Sequence, residues 1–214
     1  MNGNLDVNIL LLCAIGAASF YAWNKPEIMA KWIMNPFTTN RNREWWRLIT
    51  SGFIHSNYMH LGFNLLVMHS FGGQVLNVFS QPNYFGKAGP IFYLLLFVLG
   101  VIVSDIPTYF RNKDNPAYNS LGASGGVSSI VFAFVILFPM SELGLLFIPF
   151  FKLPAFVFAT LYMIYSHFQG KRGTDNINHS AHIWGSVFGV VFISVLRPES
   201  LLDFFRTLLS ILPF

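Results

Sequence analysis

Six stretches of this chain run for 16 to 23 residues with almost no charge: Leu5–Trp23, Asn57–Phe79, Ala88–Ile106, Leu121–Phe138, Leu153–Phe168 and His179–Leu196. A helix rises about 1.5 Å per residue and the hydrocarbon core of a bilayer is about 30 Å thick, so about 20 apolar residues cross it. In lipid the backbone must satisfy its own hydrogen bonds, and runs of this length suit helices rather than barrel strands. Composition agrees, with 54% hydrophobic residues and only 10% charged ones, and a mean hydropathy of +0.53. A soluble domain of this size needs far more charge to cover its surface. The expected fold class is therefore an all-α polytopic membrane protein, a single domain over residues 1–214 with six transmembrane helices. No internal repeat divides it.

The charges that remain lie mostly in loops. The net charge is +4, and no basic stripe is long enough to track phosphates, so the expected partner is the lipid bilayer and not nucleic acid. The single Cys13 excludes an intrachain disulfide. No Lys or Arg precedes the first apolar run, so the N-terminus lacks the positive region of a cleaved signal peptide. The first loop, Asn24 to Ser56, is long and carries Trp32, Trp45 and Trp46 among Lys25, Lys31, Arg41, Arg43 and Arg47. That mixture predicts a segment lying at headgroup depth. The tail from Arg197 onward is apolar but interrupted by Asp203 and Arg206, and reads as a helix lying on the surface. Nine Lys/Arg fall in the odd-numbered loops and four on the other side, which by the positive-inside rule alone puts the odd loops in the cytoplasm.

Polar groups within the apolar runs are candidates for function. His60 and Asn64 stand at i and i+4 in the second run, Ser124 lies in Leu-Gly-Ala-Ser-Gly-Gly at the mouth of the fourth, and His182 opens the sixth. Runs two, four and six enter from the same side, and His60, Ser124 and His182 are each the fourth residue of their segments, roughly 5 Å inside. Gly122, Gly126 and Ser129 in the fourth run, with Ala181, Gly185 and Gly189 in the sixth, form stripes of small residues that let two backbones approach closely. A serine needs such an approach if a histidine on another helix is to reach it within about 3 Å.

Each signal also has a plainer reading. A small-residue stripe is usually packing, and a lone intramembrane histidine is usually a hydrogen-bonded core residue, the class to which His69 and His167 are assigned. Gly122-Ala-Ser124-Gly-Gly126 matches the nucleophile elbow of soluble hydrolases, but that motif needs a strand before it and a helix after it in an α/β sheet. Asp105 is expected at the interface, and Asn176, Asn178 and His179 as caps or gates to the sixth run. No metal set is evident, because the histidines lack Cys or carboxylate partners, and no cofactor is implied.

Taken in order, Trp46-Arg47 in the first loop, His-Ser-Asn-Tyr-Met-His-Leu-Gly-Phe-Asn over 55–64, Gly-Ala-Ser-Gly over 122–125 and Ala-His-x-x-Gly-x-x-x-Gly over 181–189 resemble the rhomboid intramembrane serine proteases. The resemblance covers essentially the whole chain. It implies a Ser–His dyad, with Ser124 as nucleophile and His182 as general base, and an oxyanion site made by the Ser124 backbone N–H with the His60 and Asn64 side chains. Preset donors of that kind are typically worth about 10²–10³ in rate. It gives Trp46 and Arg47 a role in shaping the loop and its membrane contact, places His55 as a further histidine ahead of the oxyanion pair, and makes Gly122, Gly185 and Gly189 structural. One position departs from the pattern. Four residues after the nucleophile, where well-known members carry an aromatic residue stacked on the catalytic histidine, this chain has Ser128, leaving Tyr162 and Trp184 as unranked candidates to hold His182.

The function so implied is an intramembrane serine endopeptidase acting on transmembrane segments of other proteins, in a multi-pass protein of a cell inner or plasma membrane whose site opens away from the cytoplasm, against the loop charge bias. Two alternatives remain at this point: an inactive relative that binds transmembrane helices, and a small transporter, to which only Asp105 points.

Overall fold

The computed structural model describes residues 6–145, 148–172 and 177–211. In chain order the helices are α1 (Val7–Trp23), α2 (Pro26–Trp32), α3 (Pro36–Asn42), α4 (Arg47–Thr50), α5 (Tyr58–Phe79), α6 (Gly89–Asn112), α7 (Ser124–Leu137), α8 (Ala155–Arg172), α9 (His179–Leu196) and α10 (Pro198–Leu209). The starts follow local chemistry. Asp6, Asn35, Asn57 and Asn178 accept backbone N–H groups of Asn8, Thr38, His60 and Ala181 and so cap α1, α3, α5 and α9. Proline opens α2, α3, α6 and α10, where its missing N–H is not needed.

Six of these helices, α1 and α5 to α9, are longer than the rest, and they follow the six apolar runs with shifts at their ends, among them α8, which reaches Arg172, four residues past the expected end. α6 continues through Pro107 to Asn112, six residues past the expected end, because the buried Ser104, Asp105, Thr108 and Tyr109 hold that last stretch in place. α7 starts at Ser124, three residues late. A short antiparallel hairpin, β1 (Glu142–Leu145) with β2 (Ile148–Pro154), occupies the connection before α8. The segments Gly86–Asn112 and His179–Leu196 are long and apolar enough to cross a membrane by themselves.

α7 is the central element, with 11 of its 14 residues buried, and it packs against α5, α6, α8 and α9. At 14 residues it is only about 21 Å long, shorter than a bilayer core, and the chain leading into its N-terminal end is paired with first-loop residues Met34 and Ser51. The outer surface is apolar: Phe63, Leu66, Ile91, Leu95, Ile164 and Val191 are all exposed.

The first loop folds over that end of the bundle. Arg47 is its anchor, 7% exposed. Its guanidinium donates to Ala30 O at 2.7 Å, to Ile33 O at 2.8 Å and to the Glu44 carboxylate at 2.6 Å. Burial pushes the Glu44 carboxyl up, but hydrogen bonds from Arg47 and Asn42 outweigh it and hold the group below its ordinary value. Trp45 and Trp46, by contrast, are exposed, so of the Trp46-Arg47 pair one residue faces outward and the other ties the loop together.

Candidate active site

Ser124 is the first residue of α7, and the segment leading to it is fixed by the first loop at successive positions. Ser120 and Met34 exchange both backbone hydrogen bonds, at 2.9 and 3.0 Å. Gly122 N–H donates to Ser51 O at 2.9 Å, and Ala123 N–H donates to His55 Nε2 at 3.2 Å. Gly122 has φ +122°, and a Cβ there would stand 2.6 Å from the His60 ring, so both backbone and space demand glycine. These constraints explain the late start of α7: Ser120 is paired as extended chain and Gly122 is not helical. The equal count of residues expected for the three groups is thereby lost, since His60 is third in α5, Ser124 first in α7 and His182 fourth in α9. No side chain caps α7, which leaves first-turn N–H groups and the positive end of the helix dipole facing the Ser124 site.

α7 and α9 touch backbone to backbone. A Cβ on Gly185 would collide with Gly125 O, and one on Gly189 with Ser129 O. The Ser129 hydroxyl sits at that seam, 2.9 Å from both Gly125 O and Gly185 O. Ser124 and His182 each lie within one helical turn of the Gly125–Gly185 contact. Asp105, Ser120, Ser124, Asn178 and Ala181 line one crevice beside it. The His182 ring is stacked on Tyr162 of α8, with centroids 6.1 Å apart and planes at 19°. The Tyr162 hydroxyl reaches Ser128 Oγ at 3.5 Å. Because Ser124 and Ser128 are i and i+4 on α7, Tyr162 ties His182 to the α7 face that carries Ser124.

His60 and Asn64 come from the start of α5. The His60 ring lies over Gly122, with Nδ1 3.2 Å from Ser56 Oγ and an edge-to-face contact to His55 at 4.8 Å. Its Nε2 faces the chain just ahead of Ser124, and in the tautomer where Nδ1 accepts from Ser56 it is Nε2 that carries the proton. Asn64 is buried and spends one N–H on His60 O at 3.0 Å, leaving its second as a donor. His55 is fully buried, and burial, with His60 adding to it, pushes its imidazole down to about 3. It is neutral at any ordinary pH.

A rhomboid domain model matches residues 42–199, well over half of the chain. The chain belongs to the rhomboid family. It is therefore an integral membrane protein of a polytopic helical fold. It is 23% identical over 196 residues to the human presenilin-associated rhomboid-like protein, mitochondrial, covering 91% of this chain and 47% of that protein. Against rhomboid protein 1, mitochondrial, of Saccharomyces cerevisiae it is 26% identical over 197 residues, 86% of this chain and 51% of the other. Against RHOMBOID-like protein 12, mitochondrial, of Arabidopsis thaliana the figures are 25% over 207 residues, 92% and 61%. The chain spans about half the length of the curated relatives it matches.

In this rhomboid one placement differs from what the residues alone suggested, one choice left open is narrowed, and one residue appears that no motif contained. Asp105, expected at the interface, is 7% exposed and accepts from Asn178 Nδ2 at 3.4 Å, which ties it to the cap of α9. Trp184 is 45% exposed, so Tyr162 is the aromatic residue that meets His182. Ser19 of α1, which no motif contains, is fully buried and bonded to His55. Its spacing with Leu11, Ile15 and Ala22 marks the inward face of α1 and was the available signal. Asn178 is a cap, while Asn176 lies outside the described residues. Among the described residues, no group of three or more His, Cys, Asp or Glu side chains is arranged to hold a metal ion.

Proposed function

We propose that this rhomboid is an intramembrane serine endopeptidase that cleaves transmembrane segments of other membrane proteins. Ser124 Oγ attacks the scissile carbonyl while His182 takes its proton. The oxyanion so formed is met by the Ser124 N–H, by His60 Nε2–H and by the free N–H of Asn64, all fixed before the reaction and facing the positive end of α7. Collapse of the tetrahedral intermediate breaks the C–N bond, with His182 returning the proton to the leaving amine. A water molecule, deprotonated by the same histidine, then releases the acyl group from Ser124.

The observation that carries the reading is the Gly125–Gly185 backbone contact, with Ser124 one residue before it on α7 and His182 three residues before it on α9. Rhomboids act on transmembrane substrates in the bilayer. A substrate helix must unwind near the cut to offer its carbonyl, so small or helix-breaking residues there are expected. The reading includes six membrane crossings by α1 and α5–α9, with α10 on the surface, and a site opening on the side where α5, α7 and α9 begin. An inner or plasma membrane with that side away from the cytoplasm remains part of the proposal. The relatives' names set a mitochondrial membrane as the alternative, which fractionation decides.

The test is cleavage of a model transmembrane substrate in proteoliposomes by the unaltered protein, Ser124→Ala and His182→Ala. Loss of cleavage in both variants is expected. Equal cleavage by all three removes the dyad, and an inert but folded wild type on several substrates favours a helix-binding role.

A further inference from the structure

Ser19 lies in α1, far in sequence from the residues that form the site, and is fully buried. Its Oγ is 3.0 Å from His55 Nδ1 and 3.1 Å from Phe53 O. On the other edge of the same imidazole, Nε2 is 3.2 Å from the backbone nitrogen of Ala123. Donor and acceptor bookkeeping leaves one arrangement. A backbone N–H can only donate, so Nε2 must be the bare nitrogen, and a neutral ring then carries its proton on Nδ1. That proton goes to Ser19 Oγ, and the Ser19 proton goes to Phe53 O. Every donor has an acceptor. Trp23 Nε1–H holds the His55 carbonyl at 2.7 Å, and the His55 ring meets the His60 ring edge to face.

We infer that Ser19 is a positioning residue for the nucleophile loop: by holding His55 as its Nδ1–H tautomer, it keeps Nε2 available to Ala123 N–H and so orients the peptide that precedes the Ser124 N–H. Only the consequence for catalysis rests on the protease reading above; the tautomer does not. Without the serine oxygen, Nδ1–H has no acceptor in a dry site, so moving the proton to Nε2 costs less than it does with Ser19 present, although Ala123 N–H still opposes it. In the fraction of molecules that make that move, two N–H groups face one another at Ala123 and the loop must shift. A residue of α1, remote from any chemistry, thereby sets the geometry of the oxyanion donor.

The experiment uses the full chain labelled with 15N-histidine in lipid nanodiscs at pH 7, with His55 assigned by the signals lost in His55→Gln. The wild type is expected to show the Nδ1–H tautomer at His55. Ser19→Ala is expected to shift it toward Nε2–H and to lower kcat about tenfold, with KM changed less than twofold. Ser19→Cys, similar in size and a weaker acceptor, should fall between. His55→Gln, whose amide oxygen can still accept Ala123 N–H, should keep more activity than His55→Leu. Leu11→Ala, another buried change on the same face of α1, should lower the melting temperature without altering the tautomer. An Nε2–H tautomer in the wild type, or a Ser19→Ala variant unchanged in both tautomer and kcat, overturns the inference. A tautomer that responds to Ser19→Ala in a protein that cleaves nothing upholds the positioning and counts against the protease reading alone.

Discussion

Tyr162 and His182 lie nearly parallel, 6.1 Å between ring centroids and 19° between planes, although they come from α8 and α9 and are 20 residues apart. The Tyr162 hydroxyl meets Ser128 Oγ at 3.5 Å, so a serine stands where an aromatic residue was expected and an aromatic ring reaches in from the neighbouring helix. Aromatic contacts of this kind are worth about 0.5–1.5 kcal/mol, or up to about tenfold in rate if lost only in the transition state. Tyr162→Leu should therefore reduce kcat by about three- to tenfold. Tyr162→Phe, which keeps the ring and loses the hydroxyl that meets Ser128, should cost less. Steady-state kinetics on one transmembrane substrate separate the two.

The α7–α9 seam has no room for a side chain. Gly185→Val places its branches against the Gly125 carbonyl, and overpacking of this kind typically costs about 1–3 kcal/mol, occasionally more. The helices must separate, and the distance between Ser124 and His182 grows with them. Cleavage should fall by at least about a hundredfold while far-UV circular dichroism stays helical. Gly122→Ala acts through a different fault, a positive φ and a clash with His60, and should abolish activity with a smaller loss of thermal stability than Gly185→Val.

His55 supplies a pH dependence of stability. Its folded value of about 3 lies below the unfolded value of 6.5. Between those limits the unfolded chain binds a proton that the folded chain refuses, so the stability due to the neutral buried ring is full above pH 6.5 and is lost as the pH falls toward 3. The steepest loss is about 1.4 kcal/mol per pH unit. His55→Gln should be less stable than the wild type at pH 7, and the difference between their melting temperatures should shrink as the solution is acidified to pH 4. A constant difference would show that His55 titrates normally.

Arg47 should prove structural. Removing its guanidinium leaves Ala30 O, Ile33 O and the Glu44 carboxylate without their donor, and the loss of such charged hydrogen bonds in a partly buried setting costs about 1–3 kcal/mol. Arg47→Ala should lower the melting temperature and increase proteolytic nicking of the first loop. Arg47→Lys should recover little, because one ammonium cannot reproduce the fork. Trp46→Ala, on the exposed side of the same loop, should leave stability nearly unchanged and weaken membrane contact, read as easier extraction by mild detergent.

The apolar runs, the asparagine caps, the loop rich in Trp and Arg, and the serine and histidines that mark the family are all written along the chain. Each is a local property: length in lipid, a side chain that accepts its own helix's N–H, a polar group too expensive to bury idly. What the tertiary structure decided lies between helices. That Tyr162 and not Trp184 meets His182, that Ser19 reaches His55, that Met34 pairs with Ser120 and delays α7 to Ser124, and that Asp105 points inward to Asn178 all depend on how each helix is rotated about its axis. In a soluble bundle the contrast between polar and apolar faces reports that rotation. Here both the lipid and the core are apolar, so Leu66 faces outward and Met68 inward with nothing in the residue type to tell them apart. The chain by itself determined that helices would form, where they would start within a few residues and which groups would be dear to bury. Close packing of glycine seams and the pairing of a few buried polar atoms chose the rotations that bring those groups together.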